Sequence, residues 1–457
     1  MKFYTNFFYS LSITIIGLSV IFTGCKDKCE VMTVLQCDDN DFKTQDSFDE
    51  ENCNCVNELV SGVNGSWLFS VDDFDEENVQ EAMILMNDGD TIHFGAGTYK
   101  ISKTLSVDGK NDIVIIGAGI GVTILDFSDQ TAGAEGLKFT SNKNSMVANL
   151  TVANPIGDGI KAKDCEGFSF INVATIWDDE GNVENGAYGI YPTTCKHVLV
   201  DGCYAKGASD AGLYIGQCEY VIMRNSVADN NVAGIEIENT RYADVYNCSA
   251  INNTGGILVF DLPGLPAGQG HTTRVFNNTI KNNNYQNFAP EGNTVADVPP
   301  GTGIMLLAAS NVEVFSNILE GNNLMSIGIV DYEVLANFSG ATWDDEAYIS
   351  YPRNIYVHNN TISREERCPD TPNAIGGVLQ TFFPNNCADV PEIMWDGITS
   401  LDNLKDENSI CVQNSGSVID LDLAGWPTDQ KIERDIQYFD CTKESLPEVV
   451  VNAPTLE

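Results

Sequence analysis

Glu236 and Glu238 stand two residues apart in the alternating run Ile235-Glu236-Ile237-Glu238. On a strand that spacing puts both carboxylates on one face, with Cα atoms about 6.5 to 7 Å apart. A pair so placed fits glycoside hydrolysis, in which one carboxyl donates a proton and the other acts as base or nucleophile. Joined by Asp210 and Asp261, the same pair would offer calcium a set of hard oxygen ligands, and residues 178–184 form a second acidic loop that lacks EF-hand spacing. Abstraction of a proton beside a sugar carboxylate needs a neutralising cation and a base, for which Tyr214, Lys206, Arg241 and His271 are the local candidates. Tyr191 and Tyr214 add aromatic surface for sugar rings, and Lys161 and Lys163 add cations at one end of the same face.

These residues share a face because of a repeat. Gly136, Gly159, Gly189, Gly212, Gly234 and Gly256 each open a segment reading glycine-apolar-any-apolar, at steps close to 22 residues apart from one longer step between Gly159 and Gly189. Units of this size cannot bury their own apolar face and must stack into a solenoid. With each glycine as position zero, positions one and three point inward (Leu213 and Ile215, Ile235 and Ile237), and positions nine and eleven repeat the pattern in a second strand (Val221 and Met223, Ala243 and Val245). Position two then faces outward as Lys161, Tyr191, Tyr214, Glu236 and Leu258, and position four as Lys163, Thr193, Gly216, Glu238 and Phe260. Tyrosines on successive coils should lie about 4.8 Å apart. An asparagine column at position thirteen (Asn149, Asn172, Asn225, Asn247) reads as a structural turn, and Cys165, Cys195 and Cys218 at position six read as buried thiols packed as small apolar groups.

Ahead of the repeat, Val79, Ala82, Met83 and Met86 fall on one helical face behind Asp75 as N-cap, predicting a short helix that covers the first coil. The following stretches, residues 89–101, 113–119 and 123–126, alternate apolar and polar positions between glycine-rich turns. They resemble the opening coils of the pectate-lyase-like superfamily of right-handed parallel β-helices. That resemblance implies an all-β fold: a right-handed parallel β-helix over residues 66–363, with a long excursion at 261–301 and an irregular C-terminal cap over 364–457. It further implies a surface suited to an extracellular polysaccharide, bound or processed by a lyase, epimerase or hydrolase; the alternative is a non-catalytic adhesion or scaffold protein. The Asp-Pro-His-Asp motif of alginate epimerases is absent from the sequence.

The 457 residues carry 24 Lys plus Arg against 65 Asp plus Glu, a formal charge of −41. A surface so acidic repels nucleic acid, and the chain is expected to be a monomer. Residues 1–24 read as an export signal, with Lys2 ahead of an apolar run. Val20-Ile21-Phe22-Thr23-Gly24-Cys25 resembles a bacterial lipobox, which implies lipidation of Cys25, a membrane anchor, and placement at the outer membrane or cell surface. Residues 25–65 are acidic, contain Cys29, Cys37, Cys53 and Cys55, and read as a tether. In the oxidising environment beyond the cytoplasm, Cys368 with Cys387 and Cys411 with Cys441 read as bridges, with the connectivity left open by the sequence.

Overall fold

The computed structural model describes residues 44–49, 54–59 and 65–456, apart from 73, 341, 343, 365–373, 385–389, 399–408, 415–416, 424–427, 429–430 and 435–438. The chain divides into two compact units, residues 1–60 and 61–457. In the first, Thr44–Asp49 and Asn54–Leu59 pair as an antiparallel ribbon inside the stretch that reads as a tether. The export signal, Cys25, Cys29, Cys37, Cys53, Cys368 and Cys387 lie outside the described residues.

The second unit is a parallel β-helix. Its first sheet has eleven parallel strands, beginning with Lys103–Asp108, Ala132–Thr140, Ile160–Lys163, Tyr188–Thr193, Ala211–Gly216 and Ala233–Glu238, and continuing through Gly255–Phe260, Thr302–Leu307, Met325–Val330, Ile393–Trp395 and Val418–Asp420. Inward residues stack in register, among them Leu137, Ile160, Ile190, Leu213, Ile235, Ile257, Ile304 and Ile327. All of them are fully buried. Two further sheets complete each coil; the long strands Lys143–Ala153 and Glu166–Ile176 run through both. Strand pairing continues past residue 363, where the sequence period fades: Ile355 pairs with Ile410, and Ile393 with Val418.

The helix Glu76–Leu85 covers the first coil as its pattern requires. Asp75 accepts from the Glu77 amide at 2.9 Å, and Val79, Ala82, Met83 and Met86 are buried. At the other end Cys411 and Cys441 form a disulfide.

Polar ladders run through the turns. Asn149, Asn172, Asn225 and Asn247 have φ of 54°, 49°, 53° and 54°, the left-handed conformation that asparagine tolerates at a bend. A second ladder is buried one column over, where Asn278 donates to Asn317 and Asn317 to Asn360, at 3.0 and 2.9 Å. A third joins Asn231, Asn253, Asn283 and Asn322 through amide bonds of 2.9 to 3.0 Å. Cys165, Cys195 and Cys218 are buried and free, and the Cys165 and Cys195 amides contact the next coil's sulfur at 3.3 and 3.4 Å. Cys203 and Cys248 are likewise free, and burial pushes each thiol up to about 12.

The last residues do more than cap. Residues 446–456 return along the outside of the second sheet, where the Leu446 amide donates to Glu313 at 2.9 Å and the Val449 amide to Asp244 at 3.1 Å. Ser169 donates to the Pro454 carbonyl at 2.6 Å. Val451, Ala453 and Leu456 cover Met146, Ala148, Ile171 and Leu199.

Candidate functional site

In-register pairing brings Asp210, Tyr214, Glu236 and Glu238 to one place on the first sheet, because Tyr214 faces Glu236 and Gly216 faces Glu238 on adjacent strands. Gly216 matters here, since a Cβ at that position would lie 2.3 Å from the Tyr214 hydroxyl. The Tyr214 hydroxyl donates to Glu238 Oε1 at 2.7 Å. Tyr188 packs between Tyr191 and Tyr214, with ring centroids 4.5 and 4.3 Å away. Tyr191 and Tyr214 lie 5.0 Å apart, as coil spacing requires, but cross edge-on at 81°. The aromatic surface is therefore a tilted cluster. Lys161 sits 4.4 Å from the centre of the Tyr191 ring, a cation over an aromatic face.

Positions two and four do face outward from the solenoid, but from Tyr214 onward they do not face water. Tyr214, Glu236 and Asp210 are 3 %, 2 % and 6 % exposed, and Leu258 is wholly covered. The cover comes chiefly from residues 282–301 and from the helices Tyr332–Ser339 and Ala374–Phe382, whose apolar side chains pack on Leu258, Phe260, Met305 and Met325. The single excursion expected over 261–301 is instead two loops, because His271–Phe276 and Thr279–Lys281 stay paired in the solenoid. Asn293 of the second loop donates to Asp210 Oδ2 at 3.1 Å.

Burial sets the protonation of the cluster. Asp210 is pushed up to about 7 by burial and then by the nearby Glu238 charge, against the pull of hydrogen bonds from Tyr188 and Asn293. Burial, then the Asp210 and Glu238 charges, hold Glu236 well above the usual carboxylate range, and its Oε2 has no hydrogen-bond partner among the described residues. Glu238 is raised too, by burial and by Asp261, less the effect of the Tyr214 bond. Carboxyls crowded into a dry site cannot all ionise, so one or more stay protonated near neutral pH as proton donors. Burial also raises Tyr188 and Tyr214, and carries Tyr191 up to about 12, so none of the three serves as a base near neutrality.

Other sequence candidates lie elsewhere. Lys206 belongs to the third sheet and pairs with Glu180 at 2.5 Å. Lys163 is exposed at the rim, 4.0 Å from Asp164. Arg241 and His271 pair across adjacent strands of the second sheet. Arg241 reaches the Gly268 carbonyl at 2.8 Å, His271 Nδ1 lies 2.9 Å from the Thr272 hydroxyl, and burial, Arg241 and Arg353 lower the His271 pKa. Asp261 accepts from the Gly270 amide at 3.0 Å, and burial pushes it up to about 6. With Asp261 turned to that loop, the expected calcium ligand set does not assemble: among the described residues no three His, Cys, Asp or Glu side chains converge to hold a metal ion.

The structure adds residues that sequence reasoning passed over. Glu135, Asp158 and Tyr188 immediately precede the marker glycines 136, 159 and 189, and that position also borders the outer face. Lys138 binds Glu135 at 2.9 Å, and Lys161 binds Asp158 at 3.0 Å and Glu135 at 3.7 Å. Scanning the residue before each glycine would have found all three.

Solved structures similar to this chain include the A-module of the mannuronan C-5 epimerase of Azotobacter vinelandii, at 14 % identity over 64 % of this chain and 84 % of that one, with a TM-score of 0.41. The catalytic unit of an alpha-1,3-glucanase from Streptomyces thermodiastaticus is 14 % identical over 66 % of this chain and 61 % of its own, with a TM-score of 0.41. An alginate lyase from Paenibacillus is 10 % identical over 65 % and 94 %, with a TM-score of 0.32. No curated protein sequence matches the chain. Residues 135–289 and 171–362 match the family model described as right handed beta helix region, so the solenoid that carries the carboxyl and tyrosine cluster is a right-handed β-helix region.

Proposed function

We propose that this chain binds and processes an extracellular polysaccharide on the first sheet, with Tyr191, Tyr188 and Lys161 contacting sugar rings and Asp210 protonating the glycosidic oxygen as its bond to carbon breaks, while water bonds to that carbon and gives up a proton. The observation that carries this reading is the group of Asp210, Glu236 and Glu238 among Tyr188 and Tyr214, where burial raises all three carboxyls. An acid whose pKa stands near the working pH is suited to general acid catalysis. Export and a lipid anchor on Cys25 belong to the same proposal, since they would place the site outside the cell. Binding without catalysis is the second reading, favoured by the burial of Glu236.

The test is incubation of the full chain with a panel of neutral and acidic polysaccharides, with and without calcium, following binding together with new reducing or unsaturated ends. Binding with product supports catalysis, and binding alone supports the second reading. Neither signal with any glycan removes the proposal. Loss of labelled fatty-acid incorporation in Cys25→Ala tests the anchor.

A further inference from the structure

Position two of the first sheet is one continuous column. Ser106, Lys138, Lys161 and Tyr191 follow one another in register, and Tyr214, Glu236, Leu258 and Met305 continue the line on the next coils. The first four are partly exposed. From Tyr214 onward the exposures are 3 %, 2 %, 0 % and 1 %. An open lane thus turns into protein interior within one coil.

What closes the lane is built as firmly as the solenoid. The Tyr285 amide donates to the Asn253 carbonyl at 3.0 Å and the Gly301 amide to the Asn283 carbonyl at 2.7 Å, so both ends of the covering segment are tied to a buried asparagine ladder. Within it, Asn287 Nδ2 bridges the Val295 and Val298 carbonyls at 2.8 and 2.9 Å, and Val295 and Val298 are buried against the sheet. Asn293 reaches over the edge to Asp210.

We infer that the site takes a polysaccharide by its end, with the terminal sugar against Tyr188, Tyr191 and Asp210 and the rest of the chain leaving over Lys161, Lys138 and Ser106. This rests on the polysaccharide reading above. A sugar in the middle of a polymer would need a continuing path past Tyr214, and Leu258 and Met305 occupy that path under their cover.

Chain length tests it. The full chain is titrated calorimetrically with linear 1,3-glucan, 1,4-mannuronan and 1,4-galacturonan, each as a hexasaccharide and as a long polymer, at matched concentrations of sugar residue. End recognition makes apparent affinity per sugar residue fall in proportion to chain length, about tenfold for a chain ten times longer. Equal or tighter binding of the polymer per sugar residue would overturn the inference while leaving the polysaccharide reading intact. No binding of any hexasaccharide or polymer would remove both.

Discussion

The Tyr214 hydroxyl and Glu238 Oε1, 2.7 Å apart on neighbouring coils, join the aromatic and acidic halves of the cluster in one hydrogen bond. Tyr214→Phe deletes the donor and leaves a buried carboxyl oxygen unpaired. A stability loss of about 1 to 2 kcal/mol is expected in a denaturant titration. An unchanged midpoint would mean that the bond contributes nothing net.

Asp210 is assigned the proton. Asp210→Asn keeps the volume and an acceptor for Asn293 but removes the acid, so glycan binding should persist while product formation falls by about a hundredfold or more. Product release at the wild-type rate would transfer the role to another group. Tyr191→Ala should do the reverse and weaken binding first.

The buried carboxyls make stability depend on pH in a stated direction. A carboxyl raised in the folded state binds more protons folded than unfolded, so stability is greatest below the unfolded pKa near 4 and falls as pH rises through the folded value. Asp210 at about 7, Asp261 and Asp331 at about 6, and the raised Glu236 and Asp396 all act in this sense. The melting temperature should therefore decline between about pH 5 and pH 8, and Glu236→Gln should flatten the slope. A rise over that range would contradict the assignment.

Asn253 is the middle rung of a buried ladder: it takes the Asn231 amide at 2.8 Å and donates to the Ala228 carbonyl at 3.1 Å. Asn253→Ala strands both groups, at a cost of about 3 kcal/mol or more, whereas the less buried turn residue Asn247 should tolerate Gly with a change of a few tenths. Equilibrium unfolding of the two variants gives the comparison.

Ending the chain at residue 442 keeps the disulfide but uncovers Met146, Ala148, Ile171 and Leu199. The truncated protein should melt several degrees lower and bind a hydrophobic dye that the full chain does not. Identical melting curves would show that the returning segment contributes no stability.

Much of the fold is written locally. Inward residues such as Leu213, Ile235 and Ile257 recur one coil apart, and a stack of parallel strands follows from that alone. The Cys411–Cys441 bridge agrees with the expected pairing, although Cys368 and Cys387 also fall beyond the last clear coil and the sequence leaves the connectivity open. The cover was not legible, because the segments that supply it, 282–301 and the two helices, are inserted between coils and carry no part of the glycine period. One sign of it was present: outward positions change from Lys161, Tyr191 and Glu236 to Leu258, Phe260, Met305 and Leu307, and so apolar an outer face must be hidden from water. The ladder of Asn231, Asn253 and Asn322 also keeps one position in the glycine count, nineteen residues after Gly212, Gly234 and Gly303; only Asn283 is displaced, by the loop that follows Phe260.

A stacked repeat is ordinarily held by nearest neighbours, so its terminal coils can open singly and folding can spread from any point. The return of residues 446–456 along the second sheet breaks that rule, for it bonds Glu313, Asp244 and Ser169 to one strip of backbone. Coils remote in the stack thereby share one fate. A solenoid that assembles coil by coil from its N-terminal side therefore gains this latch only after every coil the strip crosses is already stacked.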